Sequence, residues 1–516
     1  MKSSIWKKHH DFRVLLVYPN IQMSALMPQS IGILTSMLKE DGFDVDIFDC
    51  TFYSDNQIPD AHDERLSHKM VQSFDWEDRG VTPKSGIFED FKSKVEEFNP
   101  DLIAVSVLES TYSLGLSLID YIHDSRKEYY VLFGGVFATY ASEIIMKNNS
   151  VDFVCRGEGE DAIMDLCKRI CAGQDFNNTP NLWVKSNGQL HINIMRAPLD
   201  INKIPFPNWD LFEPEAIYRP MQGKVWRTVG IETQRGCPYT CTYCNSPSNN
   251  VVYGNETSGK FYRKKTTERV REELDYLVKK YNPELIYFVV DTFLAMGSQE
   301  FDEFKEMYLD YKIPFWMNTR AETLNEHRAE GLEEMNMLRM NIGIEHGNYE
   351  YRKSYLKRDI SNEKMIECFN TVSDRNYTVV ANSIIGMPDE TRELIFDTIN
   401  FVRELPEDID TSGAFVWAPY HGTGLRDLAV EKGYLNRDTI IDLAIFSKSI
   451  LEMPSISPDE IEGLARTFSF YVKFPENRFS EIELAESLDE SGTRKWKELS
   501  DEFDSKWRLH DVEYDI

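Results

Sequence analysis

Short apolar runs alternate with helical patterns over residues 1–185. Strands are predicted at 12–18, 45–48, 102–106, 131–133 and 152–155, with helices between them at 28–41, 112–126, 141–147 and 161–172. This alternation is typical of an α/β domain built on a doubly wound, flavodoxin-like parallel sheet. Such a sheet binds its ligand beyond the carboxyl ends of its strands. The polar segment 51–86 has no clear period and is predicted to be an insertion or a lid.

A second βα series follows a linker at 186–224 that is rich in proline and asparagine. Its strands are predicted at 228–233, 285–290, 315–318, 340–344, 378–385 and 413–417, with helices at 267–281, 361–375 and 391–404 among them. Six repeats fit a partial (βα)6 barrel over 225–426 better than a closed eight-stranded barrel. The remaining residues, 427–516, are predicted to form a helical and strongly charged region.

Charge and composition narrow the functional classes. The 516 residues include 57 Lys and Arg against 86 Asp and Glu, which gives a formal net charge of −29. Such a surface repels phosphate backbones and argues against a general nucleic-acid binder. No apolar run reaches the ~18–20 residues that span a bilayer, and the amino terminus lacks the apolar stretch of a signal peptide. We therefore expect a cytoplasmic protein without a membrane span, whose eight cysteines serve packing, redox chemistry or metal binding.

Three cysteines follow the first predicted barrel strand, in the segment RGCPYTCTYCN. Cys237, Cys241 and Cys244 are separated by three and then two residues. Three thiolates on one loop can hold three corners of a cubane iron–sulfur cluster and leave the fourth iron open. A structural zinc site would need a fourth Cys or His nearby, and a redox pair of Cys241 and Cys244 would leave Cys237 unexplained. The spacing therefore predicts an iron–sulfur site.

This segment resembles the cysteine motif of the radical S-adenosylmethionine (SAM) superfamily, in which an aromatic residue, here Tyr243, precedes the third cysteine. The segments FVVDTF, WMNTR, GIEHG, SIIGMPDET and APYHGT are similar to motifs that follow along the barrel in that family. The resemblance implies a 4Fe-4S cluster on the three cysteines and SAM contacts from Tyr243, Asp291, Asn318, Arg320, Glu345, Ser383 and Tyr420. In that family the open iron chelates SAM, and one electron releases a 5′-deoxyadenosyl radical. From the residues alone, Asp291 and Glu345 could equally be satisfied carboxylates at helix N-termini.

Glycines follow two predicted strands of the first sheet. Gly134 and Gly135 come after the strand at 131–133, and Gly157 lies in the segment RGEGE after the next strand. Glycine lets the backbone approach a bulky ligand closely. Tight βα turns without any ligand would explain the same residues.

The segment GGVFAT looks like part of the cobalamin-binding domain that precedes the barrel in many radical SAM enzymes, with Phe137 where that family has histidine. The resemblance implies cobalamin contacts from Ser106, Thr111, Gly134, Gly135, Thr139, Gly157 and Glu158. No Asp-x-His-x-x-Gly segment occurs, so we expect the lower face of the cobalt to lack a histidine from this domain. The alternative is a sheet that has lost its ligand and only braces the barrel.

Together the resemblances favour a cobalamin-dependent radical SAM methyltransferase. It would move a methyl group from methylcobalamin to an unactivated carbon of a small-molecule substrate, with electrons from a reductant such as flavodoxin or ferredoxin. A second hypothesis is an oxidative cyclisation or rearrangement that uses both cofactors without methyl transfer. A third is a non-catalytic corrinoid-binding protein, against which the intact cysteine triad argues. The acidic surface argues against an RNA-modifying methylthiotransferase.

Overall fold

The computed structural model describes residues 8–24, 26–55, 61–123, 129–442 and 447–507. The chain ends that the predicted domains include, 1–7 and 508–516, lie outside the described residues, as do the end of the predicted helix 112–126 and part of the segment 51–86. Within the described ranges, no helix is both long and apolar enough to cross a bilayer.

The first domain is a seven-stranded sheet with helices on both faces. Its strands are β1 (Arg13–Tyr18), β2 (Asp44–Asp49), β3 (Leu102–Ser106), β4 (Tyr130–Gly134), β5 (Phe153–Cys155), β6 (Leu182–Ser186) and β7 (Gln189–Ile192). Its helices are α1 (Gln29–Glu40), α2 (Ala61–Ser67), α3 (Ile87–Phe98), α4 (Glu109–His123), α5 (Val136–Tyr140), α6 (Ser142–Met146) and α7 (Glu160–Cys171). The order β2-β1-β3-β4-β5 with parallel pairing confirms the predicted flavodoxin-like sheet. A hairpin of β6 and β7, which was not predicted, adds two antiparallel strands at the β5 edge.

The second domain is an open barrel. Its strands are β8 (Tyr218–Met221), β9 (Lys224–Ile231), β10 (Gln234–Arg235), β11 (Arg263–Lys264), β12 (Leu285–Phe288), β13 (Phe315–Arg320), β14 (Met337–Glu345), β15 (Thr378–Ile385) and β16 (Asp410–Val416). The main sheet runs β16-β15-β14-β13-β12-β9-β8. Six of these strands are parallel, which confirms the partial (βα)6 barrel, and β8 pairs antiparallel with β9 at one edge.

Helices cover the outside of the barrel and continue into the carboxy-terminal region. They are α8 (Asn245–Glu256), α9 (Thr267–Tyr281), α10 (Ser298–Tyr308), α11 (Glu326–Glu334), α12 (Tyr349–Ser354), α13 (Asn362–Asn370), α14 (Arg392–Arg403), α15 (Gly424–Glu431), α16 (Pro458–Lys473), α17 (Phe479–Glu486) and α18 (Glu490–Trp507). The last three confirm the predicted helical carboxy-terminal region.

One buried apolar cluster joins the two domains. It extends from Phe12 beside β1, through Trp209 of the linker and Phe288 of β12, to Phe468 of α16. The Trp209 indole also donates a hydrogen bond to the Pro28 carbonyl at 3.0 Å. Because β7 and β8 both lie within the predicted linker 186–224, the linker is partly absorbed into the two sheets. The division at 1–185, 186–224, 225–426 and 427–516 stays a proposal.

Candidate functional site

The three cysteines lie on the loop that connects β10 to α8, at the carboxyl end of the barrel. Cys237 and Cys241 are each 7% exposed, and Cys244 is half-buried. Cys244 is also the N-cap of α8, since its sulfur accepts from the Ser246 backbone N–H at 3.4 Å. On the other side of the loop, the Asn250 side chain donates to the Cys237 carbonyl at 2.9 Å. The loop is therefore fastened at both ends by the first turns of α8.

Each sulfur has a hydrogen-bonding group beside it. Thr292, after β12, places its hydroxyl 3.5 Å from the Cys237 sulfur. Arg320, at the end of β13, donates to the Cys241 sulfur at 2.9 Å. Burial raises the pKa of the Cys237 thiol and raises the pKa of Cys244 to about 12. Bound metal must therefore displace protons from these two thiols.

The donor set fits an iron–sulfur cluster better than a single ion. In the described part of the chain, no three His, Cys, Asp or Glu side chains converge closely enough to hold one metal ion. Three cysteine sulfurs surrounded by N–H and O–H donors are the environment that sulfur-ligated clusters have in proteins. The residues present therefore fit the cluster that the spacing predicted.

A carboxylate at the end of β14 faces the cysteine loop. Glu345 accepts hydrogen bonds on Oε1 from the Tyr243 hydroxyl at 3.0 Å and from Arg358 at 2.8 Å. Its φ of 65° lies in the left-handed region, where the pairing of β14 with β15 shifts register. Such strain in a non-glycine residue is found mostly where function requires a fixed side chain. Among the described residues both hydrogen bonds to this carboxylate go to Oε1, and a contact from Glu345 to SAM stays a prediction.

Asp291 and Asn318 lie on the neighbouring strand ends. The Asp291 carboxylate accepts from the Ser246 hydroxyl, and the surrounding protein raises its pKa by desolvation even though the side chain reaches solvent. Asn318 donates to the Tyr287 hydroxyl at 3.1 Å and accepts from Asn341 at 3.2 Å. Asp291 is therefore beside the cysteine loop, whereas the Asn318 side chain is hydrogen-bonded to the neighbouring strands β12 and β14.

Ser383 and Tyr420 complete the predicted SAM set. Ser383 is completely buried, and its hydroxyl has no hydrogen-bond partner among the described residues. A buried hydroxyl without a partner costs free energy unless a ligand supplies one, which fits a bound nucleotide. Burial raises the pKa of Tyr420 to about 12, so its hydroxyl stays protonated. That all seven residues contact SAM remains a prediction.

In the first domain, four of the predicted cobalamin residues meet at the carboxyl ends of β3 and β4. Ser106 pairs with Gly134 across these two strands. Gly135 has a φ of 102°, and a Cβ there would lie 2.4 Å from the Val107 carbonyl oxygen. The Thr111 hydroxyl accepts from the Leu108 backbone N–H at 3.1 Å and closes the turn into α4. Only glycine fits at position 135, so no side chain covers the backbone there at the carboxyl ends of β3 and β4.

The other three predicted cobalamin residues connect this edge to the barrel. The Thr139 hydroxyl donates to the Gly135 carbonyl and accepts from the Gly157 N–H, at 3.1 and 3.0 Å. Gly157 has a positive φ and packs against the Tyr253 hydroxyl of α8. The Glu158 carboxylate is paired with Arg235 of β10 at 2.7 Å. The carboxylate of Glu158 is thus engaged between the domains, and a corrin contact from it stays a prediction.

The surface at this edge suits a large ligand with apolar faces. Leu108 and Val136 are 54% and 42% exposed, next to the strand ends of β3 and β4. An adjoining cavity of about 660 Å³ lies between the two domains, lined among others by Thr139, Arg156 and Trp183. Cavities of ~300–1,000 Å³ at domain interfaces are typical ligand sites. Of the predicted cobalamin residues, only Thr139 lines this cavity, so a corrinoid site at this edge stays a prediction.

A buried carboxylate that sequence reasoning missed joins the two carboxyl edges. Glu109, the first residue of α4, is 4% exposed and accepts from His421 Nδ1 and from the His421 backbone N–H, both at 2.8 Å. His421 Nε2 in turn accepts from Arg426 at 3.1 Å, so the imidazole lone pair is engaged. The sequence position of Glu109, just after the carboxyl end of β3, could have indicated a functional role, because doubly wound sheets bind their ligands at the carboxyl ends of the strands.

Arg358 and Glu322 are further functional candidates that the sequence did not indicate. Arg358 is completely buried and pairs with Glu345 at 2.8 Å and with Glu322 at 3.8 Å. Glu322 also accepts from Arg320 Nε at 2.6 Å. Neither residue belongs to a periodic segment or a recognisable motif, so only the folded chain brings them to the cysteine loop.

Comparison with known proteins agrees with this geometry. Residues 231–402 match the model of the radical SAM superfamily, and residues 25–167 match that of the B12 binding domain. An uncharacterized methyltransferase of Pyrococcus horikoshii is 28% identical over 399 residues, which are 75% of this chain and 82% of that protein. The anaerobic magnesium-protoporphyrin IX monomethyl ester cyclase of Rubrivivax gelatinosus is 22% identical over 489 residues, 90% of this chain and 78% of that protein.

A solved structure shares the fold. The radical SAM methyltransferase TsrM from Kitasatospora setae, with cobalamin and a [4Fe-4S] cluster bound, superposes with a TM-score of 0.59 at 17% identity, over 83% of this chain and 78% of that one. The cofactors are a 4Fe-4S cluster, SAM and cobalamin. The chain therefore carries a radical SAM region over residues 231–402, preceded by a B12-binding region over residues 25–167.

Proposed function

We propose that this enzyme is a cobalamin-dependent radical SAM methyltransferase that methylates an unactivated carbon of a small-molecule substrate. One observation carries the proposal: the carboxyl edges of the two sheets face each other and are bonded directly, through Glu109 with His421 and through Glu158 with Arg235. A ligand on the first edge is therefore next to one on the second.

When bound, the cluster and SAM supply a carbon-centred oxidant, and methylcobalamin supplies the methyl group. The chain's own residues supply the contacts around these groups. Asp291 and Glu345 present carboxylate oxygens beside the cysteine loop, suited to an ammonium group or a hydroxyl. Leu108 and Val136 present apolar surface at the first edge. Arg426 donates to His421 Nε2 at 3.1 Å, so the lone pair of this imidazole is engaged within the protein.

The relatives support methyl transfer without excluding the alternative. The relative from Pyrococcus horikoshii is named a methyltransferase, whereas the relative from Rubrivivax gelatinosus is named a cyclase. An oxidative cyclisation that uses both cofactors is therefore the second candidate. As a radical SAM enzyme the chain needs a reductant, for which we propose a flavodoxin or a ferredoxin.

The test uses the full chain, reconstituted anaerobically with iron, sulfide and hydroxocobalamin, reduced, and supplied with SAM that carries a trideuterated methyl group. Methyl transfer predicts S-adenosylhomocysteine and a deuterated methyl group in the cobalamin fraction, and with substrate also 5′-deoxyadenosine and methylated product. Formation of 5′-deoxyadenosine without S-adenosylhomocysteine would refute methyl transfer and favour cyclisation. A loaded protein that cleaves no SAM would indicate a corrinoid-binding protein.

A further inference from the structure

We propose that Arg320 sets the reduction potential of the cluster through a hydrogen bond to the Cys241 sulfur. Its Nη1 lies 2.9 Å from that sulfur, which is within reach of a charge-assisted N–H···S contact. Arg320 would thus be a positioning residue that acts on the iron through its ligand.

The guanidinium is held in this orientation from two further sides. Its Nε donates to Glu322 Oε1 at 2.6 Å, and its plane lies over the Tyr239 ring with a carbon-to-centroid distance of 3.9 Å. The side chain is only 11% exposed. A donor that is fixed before the electron arrives does not have to reorganise when the charge changes.

The contacts continue into a ring that returns to the cysteine loop. Glu322 is paired with Arg358, which donates to Glu345, which accepts from Tyr243. The two arginines and two glutamates cancel in formal charge, and the Cys241 sulfur, which would be anionic as an iron ligand, is the further acceptor that Arg320 contacts. Reduction adds one more negative charge to the cluster. A fixed cation at hydrogen-bond distance therefore favours the reduced form and raises the potential.

The experiment measures the cluster without SAM, cobalamin or substrate, so its result is independent of the proposed methyl transfer. The full chain and its variants are reconstituted anaerobically with iron and sulfide and titrated with dithionite and redox mediators. The reduced cluster is followed by electron paramagnetic resonance. For Arg320→Met we expect the ratio of reduced to oxidised cluster at a fixed potential to fall about tenfold, which is 59 mV for one electron.

Two variants complete the design. Arg320→Lys keeps the charge and loses the planar fork, so its potential should lie between those of the wild type and Arg320→Met. Arg375→Met removes an arginine that pairs with Glu326 and Glu333 of α11 and not with the cysteine loop, and it should leave the potential unchanged. If Arg320→Met does not load with iron, the comparison rests on Arg320→Lys, whose potential must then fall below the wild-type value.

A wild-type potential in an iron-loaded Arg320→Met protein would overturn the proposal. Equal shifts in Arg320→Met and Arg375→Met would also refute it, since they would show a general effect of charge.

Discussion

The contact between Glu109 and the loop after β16 should carry much of the stability of the domain interface. The carboxylate is 4% exposed and accepts three hydrogen bonds, two from His421 at 2.8 Å and one from the Ile441 backbone N–H at 3.0 Å. Glu109→Ala leaves these three donors buried without an acceptor. Removing one partner of such a buried network costs about 3–5 kcal/mol. Glu109→Gln keeps one acceptor oxygen and should cost about 1–3 kcal/mol.

The assay is urea unfolding of the full chain, followed by tryptophan fluorescence, with the retained hydroxocobalamin measured after gel filtration. Because the contact joins two domains, Glu109→Ala should unfold in two steps, with a first transition at lower urea concentration, rather than in one step with a shifted midpoint. Asp120→Ala is the matched control, since Asp120 is an exposed carboxylate on the same helix and should stay within about 0.5 kcal/mol of wild type. If Glu109→Ala and Asp120→Ala were equally stable and bound equal cobalamin, the interface would not depend on this carboxylate.

Three further predictions concern the separate parts of the site. Gly135→Ala should lower stability by about 1–3 kcal/mol and reduce cobalamin retention, because its Cβ would lie 2.4 Å from the Val107 carbonyl oxygen. Gly134→Ala is the control for stability, because the nearest atom to its Cβ would be 3.8 Å away, and it should unfold as the wild type does. Alanine at any one of the three loop cysteines should abolish iron loading and the cluster's visible absorbance, while alanine at the buried Cys368 of α13 should leave both intact. Burial raises the pKa of Asp49 to about 6, so the folded protein holds more protons than the unfolded chain between pH 3.8 and about 6. The free energy of unfolding should therefore fall as pH rises through that window, and Asp49→Asn should flatten the slope in unfolding titrations.

The parallel strands were predictable because burial on both faces leaves a local signature. β1 and β3 contain short apolar runs bounded by turns, and β15 is rich in β-branched residues. The structure places all three strands within one residue of the predicted limits. The β6–β7 hairpin escaped prediction because β7, at the sheet edge, is almost wholly exposed and shows no apolar alternation. Helix α8 escaped because its residues, NSPSNNVVYGNE, are poor helix formers. Its helical form depends on the Cys244 cap and on Tyr253, which is buried against the first domain.

The cysteine spacing is a local property of the sequence and predicted the iron–sulfur site, whereas SAM and cobalamin were implied by the resemblance of short motifs to a known family. The hydrogen-bond network around these sites was not predictable. Arg358 and Glu345 lie 13 residues apart in different elements, and Glu109 and His421 lie 312 residues apart, so no helical or strand period relates either pair. Chain periodicity follows from short-range backbone geometry, whereas the pairing of buried charges depends on which strand ends the completed barrel and sheet bring within hydrogen-bond distance.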